Sequence, residues 1–237
     1  MMKTAWITDK GGREINDDTV RILLEQNSAW VYVGDGLGGY AGGKQASEAA
    51  AEALLKICRK NSLMSDENLT QAADLANQAV FKLQKDRSGN MKTTLVFLVV
   101  ENGQARWAHV GDSRLYHFKA GALKSQTRDH SVSQMAVMMG EITPDEIRFH
   151  EDRNRVLRAL GGDNARPELS APVSLSGGED AFLLCTDGFW EYVYEEEMED
   201  TLSRANDPQQ WLDAMLQIHS SRIPEGNDNF TAAVLFC

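Results

Sequence analysis

Thr93-Thr94-Leu95-Val96-Phe97-Leu98-Val99-Val100-Glu101-Asn102-Gly103-Gln104-Ala105-Arg106-Trp107-Ala108-His109-Val110 is an apolar run, an Asn-Gly pair and a second run rich in strand formers. Asn-Gly takes the positive backbone angles of a two-residue hairpin turn, so the stretch predicts antiparallel strands over Thr93–Val100 and Ala105–Val110. Upstream, Thr4–Thr8, Thr19–Glu25 and Trp30–Gly34 also read as strands. Between them and the hairpin lie two helices. Gln45–Asn61 repeats Ala46, Ala49, Ala50, Ala53, Leu54 and Ile57 at helical spacing, and Asn68–Gln84 repeats Leu69, Ala72, Ala73, Ala76, Val80 and Leu83. Faces so rich in alanine suit two helices packed closely on a sheet. Downstream, Arg114–Lys119 and Leu123–Gln126 form a further hairpin around Ala120-Gly121. Thr143-Pro144-Asp145-Glu146 is a helix start, with a capping Thr and Pro in the first turn. Ala181–Thr186 reads as a buried strand, Pro208–Ser221 as a helix with Trp211, Leu212, Met215 and Ile218 inward, and Thr231–Phe236 as a last strand. This order lacks regular βαβ alternation and predicts an α+β fold of antiparallel sheet layers covered by helices.

Composition narrows the function. Of 237 residues, 42% are hydrophobic and 25% charged, as in a soluble globular protein with a large core. A net charge of −11 argues against nucleic-acid binding, which needs a basic face. It is compatible with phosphate chemistry where a cation supplies local positive charge. The three cysteines, Cys58, Cys185 and Cys237, share no C-x-x-C spacing, so a reducing cytoplasm is expected. The start, MMKTAWITDKGG, has no apolar signal core, and Leu95–Val100 is too short to span a bilayer. No linker, repeat or low-complexity tract divides the chain, so one domain over residues 1–237 is expected, with no membrane anchor or appended sensor.

Aspartates recur at strand ends. Asp35 follows Trp-Val-Tyr-Val-Gly and opens Asp35-Gly36-Leu37-Gly38-Gly39; Asp112 follows Trp107–Gly111; Asp187 follows Phe182–Thr186 and opens Asp187-Gly188. Asp228 precedes the last strand, and Asp17 and Asp18 precede the second. A carboxylate beside a buried strand is costly unless it is paired or holds a metal, and hard cations such as Mg²⁺ and Mn²⁺ prefer oxygen ligands. Taken singly, each Asp-Gly is also an ordinary turn dipeptide. Together these acids are consistent with an acidic two-metal site.

In order along the chain, Gly12-Arg13-Glu14-Ile15-Asn16-Asp17-Asp18, Asp35-Gly36-Leu37-Gly38-Gly39 with Gly43 and Ala46-Ser47, Lys92-Thr93-Thr94 and Val110-Gly111-Asp112-Ser113-Arg114-Leu115-Tyr116 are followed by Asp129-His130-Ser131, Arg153-Asn154 through Arg158-Ala159-Leu160-Gly161-Gly162, Thr186-Asp187-Gly188 and Asp228-Asn229-Phe230-Thr231. This succession resembles the metal-dependent serine/threonine protein phosphatases of type 2C (the PPM class) in their compact bacterial form. The resemblance implies a four-layer αββα sandwich, two antiparallel β-sheets flanked by helices with the metal site between the sheets. It implies Mn²⁺ or Mg²⁺, two per active site with a weaker third, and phosphoserine or phosphothreonine proteins as substrates, opposing a Ser/Thr kinase. Matched by motif, Asp35 would bridge two metals, Asp187 and Asp228 would complete the first, and Asp18 and the Gly36 carbonyl would serve the second. Asp112 would hold the third with Asp187, Asp17 would act through water, and Arg13 would grip the substrate phosphate with its guanidinium fork. A metal-bridging hydroxide would attack phosphorus directly, with no phosphoenzyme. Cys58 and Cys185 sit in apolar patterns and read as core.

The chain departs from the family in places, including Lys92 where the family has Gly before the Thr-Thr pair. Tyr40 stands where bacterial members often have His, and Leu37 where some relatives carry a His general acid, which leaves a metal-bound water for that role. His109 reads as a core or interface group, His130 and His150 fall in a flap over about Asp129–Asp152, and His117 and His219 read as structural or exposed. Glu195-Glu196-Glu197 reads as a solvated helix start rather than a docking face for basic segments. Met135, Met138 and Met139 read as packing within a flap helix. A monomer acting on protein substrates, without nucleic acid or membrane, is expected. The alternatives are a catalytically inactive PPM-like binding or sensor module, the same scaffold serving another phosphorylated substrate such as a partner-switching regulator, and a two-metal nuclease, which the acidic charge disfavours.

Overall fold

Strands buried on both faces organise the molecule. A computed structural model describes residues 1–38, 42–58, 62–87 and 89–237. In chain order the elements are β1 (Lys3–Asp9), β2 (Thr19–Leu24), β3 (Ser28–Gly34), β4 (Gly36–Leu37), α1 (Gly42–Cys58), α2 (Asp66–Arg87), β5 (Lys92–Thr93), β6 (Leu95–Glu101), β7 (Gln104–Val110), β8 (Arg114–Lys119) and β9 (Ala122–Gln126). Then come α3 (Val132–Met139), a 3-10 turn (Pro144–Phe149), β10 (Glu168–Leu169), β11 (Val173–Ser174), β12 (Asp180–Cys185), α4 (Asp187–Trp190), α5 (Glu195–Arg204), α6 (Pro208–Arg222) and β13 (Phe230–Phe236).

One sheet runs β1-β13-β12-β8-β9 and the other β10-β7-β6-β3-β2, with β11 also on β7; all these pairings are antiparallel. Side chains alternate across a strand, so each central strand feeds two cores. On β3, Ala29, Val31 and Val33 face the opposite sheet while Trp30 and Tyr32 face α1 and α2. On β6, Val96, Leu98 and Val100 face inward and Leu95, Phe97 and Val99 face the helices. On β12, Phe182 and Leu184 meet the opposite sheet while Ala181, Leu183 and Cys185 pack under α4, α5 and α6. The result is the expected four-layer αββα sandwich.

The deciding hairpin forms as expected, with Asn102 (φ 51°) and Gly103 (φ 77°) at its turn. The strand expected over Thr93–Val100 is divided. Thr93 pairs with Gly36 on β4, and the chain turns at Thr94, whose N–H donates to the Asp35 carbonyl, before β6 begins. The start at Thr143 is a capping box opening a 3-10 turn. Ile218 is only half-buried, and His219, fully buried, takes the inward position on α6. The flap methionines are not packed: Met135, Met138 and Met139 are 44%, 76% and 65% exposed, because α3 turns Ser133 and Ala136 inward. Gly39, Tyr40 and the end of the first expected helix (residues 59–61) lie outside the described residues. Among those described, no helix is long and apolar enough to cross a membrane.

Candidate active site

At one end of the sandwich, strand ends and neighbouring loops enclose a cleft of about 430 Å³. Its lining includes Arg13, Asp17, Asp35, Gly36, Asp112, Asp187 and Asp228, with Asn154 and Val156 from the segment that follows the expected flap. Seven of the eight residues given a role at the site thus share one cavity. The eighth, Asp18, is outside that lining and 1% exposed.

Asp35 sits where β3 turns into β4, and two threonines clamp its backbone. Its N–H donates to Thr94 Oγ1 at 2.8 Å, and its carbonyl accepts from Thr94 N–H at 2.9 Å and Thr93 Oγ1 at 2.8 Å. The clamp fixes the main chain and leaves the carboxylate toward the cleft. Gly36 follows because nothing larger fits: a Cβ there would lie 2.3 Å from the Gly43 carbonyl.

Asp17 and Asp18, adjacent in sequence, do different work. Asp17 caps α1, accepting the Lys44 N–H at 2.9 Å, while its own N–H donates to Asn229 Oδ1 at 2.8 Å. Asp18 Oδ2 accepts from Thr186 Oγ1 at 2.8 Å, and Lys44 Nζ donates to its carbonyl at 2.7 Å. Asp18 Oδ1 is buried with no hydrogen-bond partner, and so is Asp112 Oδ1.

Asp187 opens α4 and Asp112 precedes β8. Trp190, at the end of α4, donates its indole N–H to the Asp112 carbonyl at 3.0 Å and carries the Arg114 guanidinium 3.4 Å above its ring. Arg114 forms a bidentate pair with Asp129, 2.8 Å at each nitrogen. Asp228 accepts the Asn229 N–H at 2.8 Å and the Arg13 guanidinium at 3.0 Å. Arg13 therefore pairs with Asp228, not with its sequence neighbours Glu14 or Asp17.

The carboxylates perturb one another. Burial raises the Asp18 pKa to about 7 against the hydrogen bond from Thr186, and Asp228 adds to the rise. Burial, then Asp129, raises Asp112 to about 7. Asp35 stands well above the ordinary carboxylate range through burial and then the charges of Asp18, Asp187, Asp112 and Asp228. Asp187 is raised likewise by burial, then Asp112, Glu191, Asp228 and Asp18. An all-oxygen donor set with two orphaned buried oxygens and mutual repulsion fits hard divalent cations, which would relieve each cost.

Several expectations about side chains resolve here. Among the described residues no histidine lines the cleft. His109 is buried, stacked on His130 at 4.7 Å, with Nε2 on the Arg128 carbonyl at 2.9 Å. His130 Nδ1 accepts the Gly111 N–H at 3.1 Å, one residue from Asp112, and His117 pairs with Asp180 at 2.7 Å inside the protein. Cys58 and Cys185 are buried, and burial pushes the Cys185 thiol up. Glu195 and Glu197 open α5 and are committed to Arg148 and Arg222, leaving Glu196 exposed.

Roles that spacing did not assign belong to Thr94, Thr186, Trp190, Asn229 and His219. Asn229 joins three segments, with its N–Hs donating to the Lys10 and Ile15 carbonyls at 2.9 Å each while its oxygen holds Asp17. Thr186 accepts the Thr231 N–H at 3.0 Å while donating to Asp18. Thr94, Thr186 and Asn229 stood inside the matched segments without a role, and Trp190 and His219 stood outside them.

Known proteins resemble this chain in sequence and in fold. The family model described as protein phosphatase 2C matches residues 11–222. The serine/threonine phosphatase stp of Listeria welshimeri is 30% identical over 243 residues, covering 99% of this chain and 95% of that one. The serine/threonine phosphatase Stp1 of Staphylococcus aureus superposes with a TM-score of 0.88 at 27% identity, over 100% of this chain and 95% of the other. The catalytic domain of the serine/threonine protein phosphatase PstP, solved with two manganese ions, superposes with a TM-score of 0.84 at 27% identity, over 99% and 97%.

Proposed function

This chain belongs to the protein phosphatase 2C family, and from that premise we propose how its residues carry the reaction. The protein is a serine/threonine phosphatase: it hydrolyses phosphoserine and phosphothreonine in proteins. One observation supports a metal-assisted route above others: carboxylates from separate strand ends meet in one cleft, and two of their buried oxygens lack partners.

Asp18, Asp35, Asp187, Asp228 and the Gly36 carbonyl would hold two divalent cations, Mn²⁺ or Mg²⁺, and Asp112 with Asp187 a weaker third. Those ions would supply positive charge at the phosphate and a water acidic enough to attack phosphorus at neutral pH. The remaining work is the chain's own. Thr93 and Thr94 hold Asp35 in place, so no reorganisation is needed when substrate arrives. Thr186 orients Asp18 by its hydroxyl. Arg13 offers two N–H groups to the phosphate oxygens, exchanging its bond to Asp228 for charge that grows in the transition state. With no histidine in the described lining, the leaving alkoxide takes its proton from water. A covalent phosphocysteine has no support, since the Cys185 thiol is buried and raised. Asp17, occupied in capping α1, contributes through water at most.

The chain acts as a single phosphatase domain over residues 1–237, a cytoplasmic monomer opposing a Ser/Thr kinase. The test is phosphate release from a phosphothreonine peptide with Mn²⁺, with EDTA, and with Asp187→Asn. Release that needs Mn²⁺ and is lost in both controls supports the route. Full release in EDTA overturns it.

A further inference from the structure

Asp187 begins α4, which is only four residues long. The Asp187 carboxylate accepts the Gly188 N–H on Oδ1 at 2.7 Å, and since one turn of helix does not hold itself, the direction of that carboxylate follows how the Gly188 peptide is pinned from outside. On one side it is the last loop: Gly188 lies so close to Asn229 that a Cβ would sit 2.0 Å from the Asn229 carbonyl. On the other side it is α6. His219 is fully buried and its Nε2 lies 2.8 Å from the Gly188 carbonyl. A carbonyl only accepts, so Nε2 carries the hydrogen. Nδ1 is buried without a partner, so the ring is a neutral single donor. Phe230, Phe189 and Tyr192 enclose it at ring distances of 4.4, 5.3 and 5.7 Å. This aromatic cage packs equally well round an apolar ring. A histidine here therefore has one use that packing does not explain, the bond to Gly188.

We propose that His219 is a positioning residue: by holding the Gly188 carbonyl it sets the direction of the Asp187 carboxylate and so the affinity of the cleft for divalent cations. The inference rests on Asp187 being a metal ligand. Burial lowers the His219 pKa. Outer hydrogen bonds that orient a metal ligand are worth about 10- to 100-fold in metal affinity.

The test is calorimetric titration of the full chain with Mn²⁺ for the parent, His219→Phe, His219→Gln and Asp187→Asn, with folding checked by circular dichroism. His219→Phe keeps an apolar ring without the donor, and is expected to bind Mn²⁺ about 10- to 100-fold more weakly while remaining folded. His219→Gln, whose amide nitrogen reaches the Nε2 position, is expected to restore most of the affinity. Should His219→Phe not fold, His219→Asn, too short to reach Gly188, carries the same expectation. Parental affinity in the donorless variant together with loss in Asp187→Asn overturns the inference alone. Parental affinity in Asp187→Asn overturns the ligand assignment, and the inference with it.

Discussion

Arg13 and Asp228, 215 positions apart, meet at the mouth of the cleft with Nη2 3.0 Å from Oδ2. The residue matched to the substrate phosphate and one matched to a metal thus neutralise each other. Both are about half exposed, at 56% and 45% of their side chains, so the pair is weak and readily exchanged. A cation held by Asp228, as proposed above, would free Arg13 for phosphate and so would couple metal loading to substrate affinity.

Arg13→Ala is expected to lower kcat/KM for p-nitrophenyl phosphate about 10- to 100-fold, the worth of one charged hydrogen bond or two. Arg13→Lys keeps the charge but loses the fork, and should recover only part. Steady-state kinetics at saturating Mn²⁺ reads both. An unchanged kcat/KM in Arg13→Ala removes the phosphate-binding role.

Thr186→Val preserves shape but leaves Asp18 Oδ2 without its hydroxyl donor and the Thr231 N–H without its acceptor. The expected result is Mn²⁺ binding weaker by about 10- to 100-fold. Calorimetric titration measures it, and parental affinity would exclude a part for Thr186 in the site.

Metal-free protein is expected to lose stability as pH rises toward neutrality. Burial first, and then neighbouring charge, lifts Asp18 and Asp112 from 3.8 to about 7. The folded state therefore holds more protons than the unfolded chain between those values, and this contribution is complete below the unfolded pKa and lost as pH climbs through the folded one. Melting temperatures in chelator should fall between pH 5 and pH 7.5, and saturating Mn²⁺ should remove the fall. A chelated melting temperature that rises over that interval contradicts the electrostatic description of the cleft.

Asp129→Ala is expected to be among the most damaging single changes outside the apolar cores. It strands Arg114, 4% exposed and stacked on Trp190, without its bidentate partner. Breaking a buried pair from one side costs about 3–5 kcal/mol. Urea unfolding gives the value directly, and a loss below about 1 kcal/mol would place the pair among ordinary surface bridges.

Local pattern by itself determined the layers. Trp30 through Gly34 and Leu95 through Val100 are apolar at nearly every position because the sandwich covers both faces of those strands. The Ala-rich helices and the Asn102-Gly103 turn were legible for the same reason: each depends on neighbours a few residues away. The ordered acid motifs also placed Asp18, Asp35, Asp112, Asp187 and Asp228 at element ends. Their convergence, and their partners, were decided only by the tertiary structure. The register of β13 between β1 and β12 brings Asp228 beside Arg13 and Thr231 beside Thr186. The fold of α6 onto α4 brings His219 to Gly188. Met135, Met138 and Met139 are exposed because the direction α3 faces is set by what lies beneath it. A hydrogen bond or ion pair between residues far apart in sequence leaves no period in the chain, because its geometry exists only once the sheets have closed.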